Sequence, residues 1–477
     1  MRPFPVLLPL SIALLAAGCT MGPDYAGPQP LAAAKAPGAA FARADTGFSA
    51  EAPLARWWES LHDAVLDDLV RQALAANPDA RVAEARLRQA RSALRLERAN
   101  GSPNVNAQAV YAHAHLPGVD FGGEGDSGDT DLNLYNLGFD ASWEIDLFGG
   151  QRRKVEAARA EAEAAGARLA DAQVSLSAEV AQAYVNLRDR QERIALSRQS
   201  ITMLEQMVDL ARQRRDRGTA SQLDVDRLEG QLEQAKADVA GLDAEQDAYL
   251  DELATLTGAA PGTLDARLRT PGALPLPPAA IAIGDPAALI RRRPDIRAAE
   301  RTLAADTAKI GAAEAARFPR LSLMGIIGIG GTSFSDLTHL DDFAAIAAPQ
   351  LSWSFLDFGR NKARVGQAEG VRDEAEAQYQ GAVLAALRDA EDALSRFRNR
   401  RIAVATLARA EALATRTAGL SRDRYRAGTI TLTDLLDAER QQLAARQRLS
   451  AAKAGLTGDF IAIQKALGAG WRNGLDE

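Results

Sequence analysis

A chain of 477 residues with 47% apolar content can bury large cores, yet only 5% of it is aromatic and much of the apolar share is alanine, which excludes an ordinary aromatic-rich globular core and suits long, closely packed helices. A formal charge of -7, with only the short basic runs Arg212–Arg217 and Arg291–Arg293, argues against a nucleic-acid binder. The single cysteine, Cys19, excludes an internal disulfide framework.

Residues 1–18 read as a signal peptide: Arg2 starts it, Val6 to Ala17 is its apolar run, and Ala16-Ala17-Gly18 places small residues directly before Cys19. About twelve apolar residues are too few to span a bilayer as a mature helix. The pattern resembles a bacterial lipobox, which implies a covalent lipid on Cys19; cleavage at another small residue would leave that thiol a spectator. Residue 20 is threonine rather than the aspartate that commonly retains such lipoproteins in the inner membrane, which implies an outer-membrane destination. Residues 19–60 form an N-terminal tether, rich in Pro, Gly and Ala and extended to about Ala55, before Trp57-Trp58.

A first repeat, 61–258, opens with helices Ala64 to Ala76 and Pro78 to Ala99; Asn77 is a suitable cap, and Pro78 takes the first helical position, where no N–H is needed. After Pro103 the period changes from helix to strand. Tyr135, Leu137, Phe139, Ala141, Trp143, Ile145 and Leu147 alternate with Asn136, Gly138, Asp140, Ser142, Glu144 and Asp146, one face apolar and the other polar. With Asn104 to His115 this predicts a β-hairpin at about 103–147, its polar tip at Gly118 to Asp131. A long helical hairpin at about 149–258 follows, turning at Gly218-Thr219. Its returning leg keeps three-and-four spacing through Val225, Leu228, Leu232, Ala235, Val239, Leu242, Tyr249, Leu253 and Leu256, a coiled-coil seam broken at Gln246.

Residues 259–286 are a loop-rich connection, and 287–468 repeat the plan. A helix leads to a second β-hairpin at about 319–357, with Leu321 to Ile329 as one strand and a tip at Gly330 to Asp342. The other strand puts Phe343, Ala345, Ala347, Leu351, Trp353 and Phe355 on one face, and Pro349 within it predicts a bend. A second long helical hairpin, about 359–468, has one helix from Gly359 to Tyr425, a turn at Ala427-Gly428-Thr429 and a return from Leu432 to Leu467. Val365, Val371, Ala375, Tyr379, Val383, Leu387, Ala390, Leu394 and Phe397 mark one face of its first leg. At 1.5 Å per residue that leg is roughly 100 Å long, a length suited to crossing a gap or lining a conduit. Residues 469–477 are a C-terminal tail.

The repetition is literal. Ser142-Trp143 recurs 210 positions later as Ser352-Trp353, as do Phe148-Gly149, Gly218-Thr219, Asp224, Glu229 and Gly258 as Phe358-Gly359, Gly428-Thr429, Asp434, Glu439 and Gly468. Upstream the offset is 216: Pro78-Asp79-Ala80-Arg81 recurs as Pro294-Asp295-Ile296-Arg297 and Pro103 as Pro319, so the length change falls in the first hairpin. Four strands cannot close a barrel, and a sheet with an apolar outer face leaves edges that lipid cannot satisfy, so several subunits must pool their strands; three copies supply twelve. The alternative is a soluble sandwich packed on the apolar face.

The repeat together with GCTMGPDY, WWES, LVRQALAANPDARVAEARL, RRRPDIRAAE, LSWSFLDFGRNKARV and YRAGTITLTDLLDAE resembles the outer-membrane efflux family of TolC-type channels, most closely its lipoprotein, NodT-like branch serving resistance-nodulation-division pumps. The resemblance spans Cys19 to Gly468. It implies a mainly α, internally duplicated protomer with two β-hairpins and long antiparallel coiled-coil helices, which as a homotrimer forms a twelve-strand β-barrel in the outer membrane and a twelve-helix α-barrel across the periplasm. It further implies lipid contact at Tyr135, Leu137, Phe139, Trp143, Phe343, Trp353 and Phe355, and a periplasmic adaptor (membrane fusion protein) meeting the turns at Gly218, Thr219, Gly428 and Thr429.

Asp434 and Asp437 lie three apart, on one helix face just beyond the second turn, whereas the first repeat has Asp224 and Arg227 there. A threefold axis would stack the pair as two carboxylate rings, and the resemblance matches them to aspartates that narrow the periplasmic aperture and confer cation affinity. Arg422, Arg424, Tyr425 and Arg426 are latch candidates; Ile430 stands where some members carry arginine. The alternative is a pair of solvated helix-start carboxylates stabilised by the helix dipole. No catalytic site is expected: Asp357-Phe358-Gly359 lacks a kinase context, Gly325 to Gly331 lacks a phosphate-loop lysine, and His113 with His115 makes no metal set. The function expected is a passive exit duct in a tripartite efflux pump powered by an inner-membrane partner, with no cofactor beyond the lipid; the alternatives are a type I protein-secretion duct and a lipid-anchored coiled-coil scaffold.

Overall fold

The structure, a computed structural model, describes residues 20–28, 40–116, 130–338, 341 and 343–471. The expected signal peptide, Cys19, most of the first hairpin tip and the tail beyond 471 lie outside these residues. In chain order the elements are β1 (Phe48–Ser49), a 3-10 turn (Trp57–Leu61), α1 (Ala64–Ala76), α2 (Pro78–Asn100), β2 (Asn104–Leu116), β3 (Thr130–Ile145), α3 (Gly150–Asp216) and α4 (Gln222–Leu256). Then follow a single turn α5 (Asp265–Leu268), β4 (Ile281–Ala282), α6 (Pro286–Arg292), α7 (Pro294–Ala315), β5 (Arg320–Gly331), β6 (Phe343–Ser352), α8 (Arg360–Arg426) and α9 (Leu432–Ala466). The duplication is visible in the lengths, since α3 and α8 each run 67 residues and α4 and α9 each run 35. No described helix is long and apolar enough to cross a membrane.

The chain divides into two compact units. The first, from the described parts of 1–29, 87–165 and 299–379, holds a four-stranded antiparallel sheet in the order β2-β3-β5-β6. Both hairpins share one register: Asn104 opposite Ser142 in the first becomes Arg320 opposite Ser352 in the second. One sheet face therefore collects Tyr111, Tyr135, Leu137, Phe139, Trp143, Ile327, Ile329 and Phe343, because every pairing joins residues of the same parity, odd with odd and even with even. Gly138 faces Gly328 where the two hairpins meet; a Cβ on Gly138 would lie 2.5 Å from the Ile327 carbonyl oxygen, so this close approach requires glycine. Pro349 does not interrupt β6, which stays paired with β5 from Phe343 to Ser352: as an edge strand it has one neighbour to satisfy. Trp353 and Phe355 lie beyond the end of β6 rather than within it. Each hairpin is tied at its base by a tryptophan: Trp143 Nε1 donates to the Gly101 carbonyl and Trp353 Nε1 to the Arg317 carbonyl, both at 3.0 Å.

The same unit shows that Thr20–Pro28 is a docked strap and not a free tether. Arg153, 3% exposed, donates to the Met21 carbonyl at 3.0 Å, the Gly22 carbonyl at 3.1 Å and Asp24 at 2.7 Å, while Met21 N–H donates to the Phe148 carbonyl at 3.1 Å. Gly22 and Gly311 touch so closely that a Cβ on Gly22 would sit 2.3 Å from the Gly311 Cα. Tyr25 closes the strap, its hydroxyl donating to Glu300 at 3.3 Å and its ring packing on the small side chains of Ala160, Ala304 and Ala305. Glycine fits this path at Gly22, where the approach of Gly311 leaves no room for a side chain.

In the second unit, α1 is capped by Asp63, whose carboxylate accepts from Val65 N–H and Leu66 N–H, and buries Leu66, Leu69, Val70 and Ala73 at helical spacing. Residues 40–61, also expected as tether, pack here too. Phe41 is buried, Ala42 N–H and Arg43 N–H donate to Glu391 at 2.7 and 2.9 Å, and β1 pairs in parallel with β4, a contact between the N-terminal segment and the inter-repeat connection. The α4 seam includes Gln246, 7% exposed, and Leu250, so the amide continues the seam that it was expected to break, while Tyr249 is only partly buried. On α8, Val371 is exposed, and Ala386 and Ala393 are buried beside Val383, Ala390, Leu394 and Phe397.

Candidate functional site: the helical hairpin tips

Two helical reversals in the second unit carry the expected site residues. Gly218 and Gly428 end the long helices with φ of 73° and 71°, a left-handed conformation that glycine adopts without steric cost. At each turn the glycine N–H returns to a carbonyl three residues back, Arg215 or Tyr425, and the next threonine N–H returns five back, to Arg214 or Arg424. Thr219 and Thr429 each add a hydroxyl bond to that last carbonyl at 3.0 Å. The carbonyls of Arg214 and Arg215, and of Arg424 and Tyr425, are thereby satisfied.

The returning helices start with matching capping boxes. Thr431 Oγ1 donates to the Asp434 carboxylate at 2.6 Å and accepts from Asp434 N–H at 3.2 Å, while Thr431 N–H donates to the same carboxylate at 3.0 Å. Ser221 and Asp224 do the same in the first repeat. The Thr431 hydroxyl, then its backbone N–H, hold the Asp434 carboxyl below the usual carboxylate range. Asp437 has a different partner: it is exposed and pairs with Arg440 at 3.0 Å. The two aspartates thus share a helix face but not a partner, Asp434 being held in the capping box and Asp437 pairing with Arg440. The Ser/Thr-x-x-Asp pattern in both repeats was a legible signal for the boxes that the sequence reading did not use.

The latch candidates separate likewise. Arg422 bridges the two legs of its own hairpin, its Nε donating to Glu439 at 2.5 Å and its Nη2 to Gln442 at 3.2 Å. Arg212 and Glu229, 210 positions earlier, form the equivalent bridge at 2.6 Å. Arg426 reaches Asp423 on its own helix at 3.7 Å, and Arg424 is exposed. Of these four candidates Tyr425 is the one that touches the other hairpin: it is 9% exposed, and the Arg214 guanidinium lies 4.6 Å from its ring centroid. Beneath the tips Val208, Ala211, Val225, Leu228 and Leu232 of the first hairpin pack against Leu436 of the second. The described residues contain no cluster of acids, histidines and cysteine fit to hold a metal.

The profile of a family described as outer membrane efflux protein matches residues 69–259 and 286–469, one stretch for each repeat. The chain belongs to the outer membrane efflux protein family. Among curated family members, outer membrane protein OprJ of Pseudomonas aeruginosa is 33% identical over 471 residues, covering 98% of this chain and 96% of OprJ. Toluene efflux pump outer membrane protein TtgF of Pseudomonas putida is 30% identical, with 97% of each chain covered. Among solved structures, the outer-membrane channel OprN matches with a TM-score of 0.85 and 36% identity over 95% of this chain and all of that one. The open state of the MtrE outer membrane channel of Neisseria gonorrhoeae matches at 0.80 and 29% identity over 95% of this chain and 99% of that one. These relatives are outer-membrane efflux channels and not enzymes, and a coiled-coil scaffold does not account for the likeness.

Proposed function

We propose that this efflux-family protein is the outer-membrane exit duct of a tripartite pump, passing small molecules passively outward from an inner-membrane resistance-nodulation-division pump and a periplasmic adaptor. The observation that carries the reading is a four-stranded sheet that collects its aromatic side chains on one face and leaves two edges unpaired among the described residues, in a chain whose strands lead into 67-residue helices. A homotrimer supplies twelve strands and satisfies every edge, as lipid requires. Its apolar face, with Tyr135, Leu137, Phe139, Trp143 and Phe343, meets hydrocarbon, and Trp353 and Phe355 lie at the interface. Lipid on Cys19 anchors the strap. The tips at Gly218 and Gly428 receive the adaptor, and the rings of Asp434 and Asp437 narrow the periplasmic end. The pump names carried by relatives such as TtgF support efflux over protein secretion.

Planar-bilayer conductance tests the duct and its gate together. The native protein is expected to show low conductance, raised severalfold by Asp437→Ala together with Asp434→Ala; unaltered conductance would remove the gate, and the absence of any channel would remove the duct. Deleting the gene should sensitise cells to the pump's substrates, and the wild-type chain should restore resistance.

A further inference from the structure

We propose that the second hairpin carries a binding strip for amphiphilic cations, made by Met324, Ile326 and Ile346 beside Asp140, on the sheet face that turns inward in the duct. The proposal rests on the exit-duct reading, which sends the face with Tyr135, Phe139 and Trp143 toward lipid and so gives the opposite face to water.

That opposite face is polar on one hairpin and apolar on the other. The pairings fix its rows from β2 through β3 and β5 to β6. Asn104 and Ser142 continue as Met324 and Ala348, Asn106 and Asp140 as Ile326 and Ile346, and Gln108 and Gly138 as Gly328 and Ala344. Met324 is 48% exposed, Ile326 41% and Ile346 60%, so no described residue covers the strip. A strand that is apolar on both faces is ordinarily covered on both. Lipid covers one face of β5 and β6, and whatever reaches the other must be small enough to enter the duct.

Two features of the face define the chemistry of that occupant. Asp140 stands directly opposite Ile326, which makes a carboxylate and an apolar side chain neighbours across one strand spacing, about 5 Å. The Asn106 amide donates to Asp140 at 3.1 Å, and among the described residues neither Asp140 nor Glu144, farther along this face, has an ion-pair partner. Arg320, at the base of the same face, is six positions from Ile326 along β5, roughly 20 Å away. In the next row Gly138 and Gly328 lie side by side without side chains, so the strip ends in a dip floored by backbone. An apolar body resting on Ile326, Ile346 and Met324 with its positive charge toward Asp140 uses both halves of the row. A neutral hydrocarbon leaves the carboxylate unused, and an anion is repelled by it. The strip is open on its water side, which suits a conduit, where binding must be weak enough to release what enters.

Cysteine protection in the full-length protein in lipid vesicles tests the strip. Ala344→Cys reports on its end and Gln108→Cys on the polar end of the same row, while the unmutated chain gives the background from Cys19. Labelling by a charged, membrane-impermeant maleimide is timed with and without tetraphenylphosphonium. The cation is expected to slow labelling at Ala344→Cys severalfold and to leave Gln108→Cys nearly unchanged. Tetramethylammonium, which has the charge without the apolar body, should not protect. Tetraphenylborate, the same body with the opposite charge, should protect severalfold less at equal free concentration. Asp140→Asn should remove the difference between the two tetraphenyl ions, and Ile326→Ser with Ile346→Ser should abolish protection. Ready labelling of Ala344→Cys that tetraphenylphosphonium does not slow, or slows equally at Gln108→Cys, overturns the strip. Labelling confined to Gln108→Cys overturns it too, because a segment of the chain then covers the site. Equal protection by both tetraphenyl ions overturns the part given to Asp140. Labelling at neither position overturns the assignment of this face to water, and the duct reading with it.

Discussion

Removing the Arg153 guanidinium is expected to release the N-terminal strap while leaving the sheet intact. Arg153 is almost fully buried and makes three bonds to the strap, to the carbonyls of Met21 and Gly22 and to Asp24, plus one to Glu156 on its own helix. At ~1 kcal/mol for each strap bond, Arg153→Ala lowers the free energy of opening the strap by about 3 kcal/mol, which favours the open form roughly a hundredfold. Lysine cannot repair it, because one ammonium lacks the fork that reaches two carbonyls and a carboxylate at once. Gly311→Ala should open the same segment by another route, since its Cβ would sit 2.6 Å from the Met21 carbonyl oxygen and 2.8 Å from Arg153 Nε. Hydrogen exchange followed by mass spectrometry reads this directly: peptides covering residues 20–28 should lose protection by about that factor, while β2, β3, β5 and β6 keep theirs. Unchanged protection of the strap in both variants would refute the argument that this arginine and this glycine hold it.

The tip offers a pH prediction. Asp434 has its carboxyl held below the ordinary range by Thr431, so the cap's contribution is fully present above the unfolded-state value near 4 and is lost as pH falls through the lower folded value; amide exchange at residues 431–434 should be flat from pH 7 to about 4, after correction for intrinsic rates, and accelerate only below. A double-mutant cycle on Arg214→Ala and Tyr425→Phe or Tyr425→Ala should return a coupling of about 0.5–1 kcal/mol for the alanine pair, read from chemical unfolding, and a smaller one for phenylalanine, which keeps a ring face. Of five tryptophans, Trp143 and Trp353 sit at the strand bases whereas Trp57 is 1% exposed and packed edge-to-face against Phe460, so single-tryptophan proteins in vesicles should be quenched by brominated lipid for the first two and not for Trp57. Quenching of Trp57 alone would contradict the outward assignment of the sheet's apolar face.

Much of the fold was legible because its signals are local. The helix running from Gly359 to Tyr425 on periodicity spans Arg360–Arg426, and Ala64–Ala76 coincides at both ends, since proline, glycine and a capping aspartate mark those boundaries. Strand alternation placed Tyr135, Phe139 and Trp143 on one face, and the pairings keep them there. Less of the candidate site was legible. Asp434 and Asp437 read as an equivalent pair because spacing alone puts them on one face, but a hydroxyl three residues back engages the first and an arginine one turn on engages the second. Among the latch candidates, Arg422 pairs with Glu439 across its own turn and Tyr425 lies under Arg214 of the other hairpin, partners that spacing does not reveal.

What the sequence by itself determined is the repeated unit: its two periods, its turns and the offsets that align one half with the other, because each depends on residues within a few positions or on comparison of the chain with itself. What only the tertiary structure decided is where distant segments come to rest. The strap on Arg153, the two-residue pairing of Phe48–Ser49 with Ile281–Ala282 and the arginine over Tyr425 join residues far apart in the chain through one or a few contacts. Such contacts leave no period in the sequence; packing brings the buried Arg153 within reach of carbonyls and, elsewhere, the partly buried Arg214 over a ring.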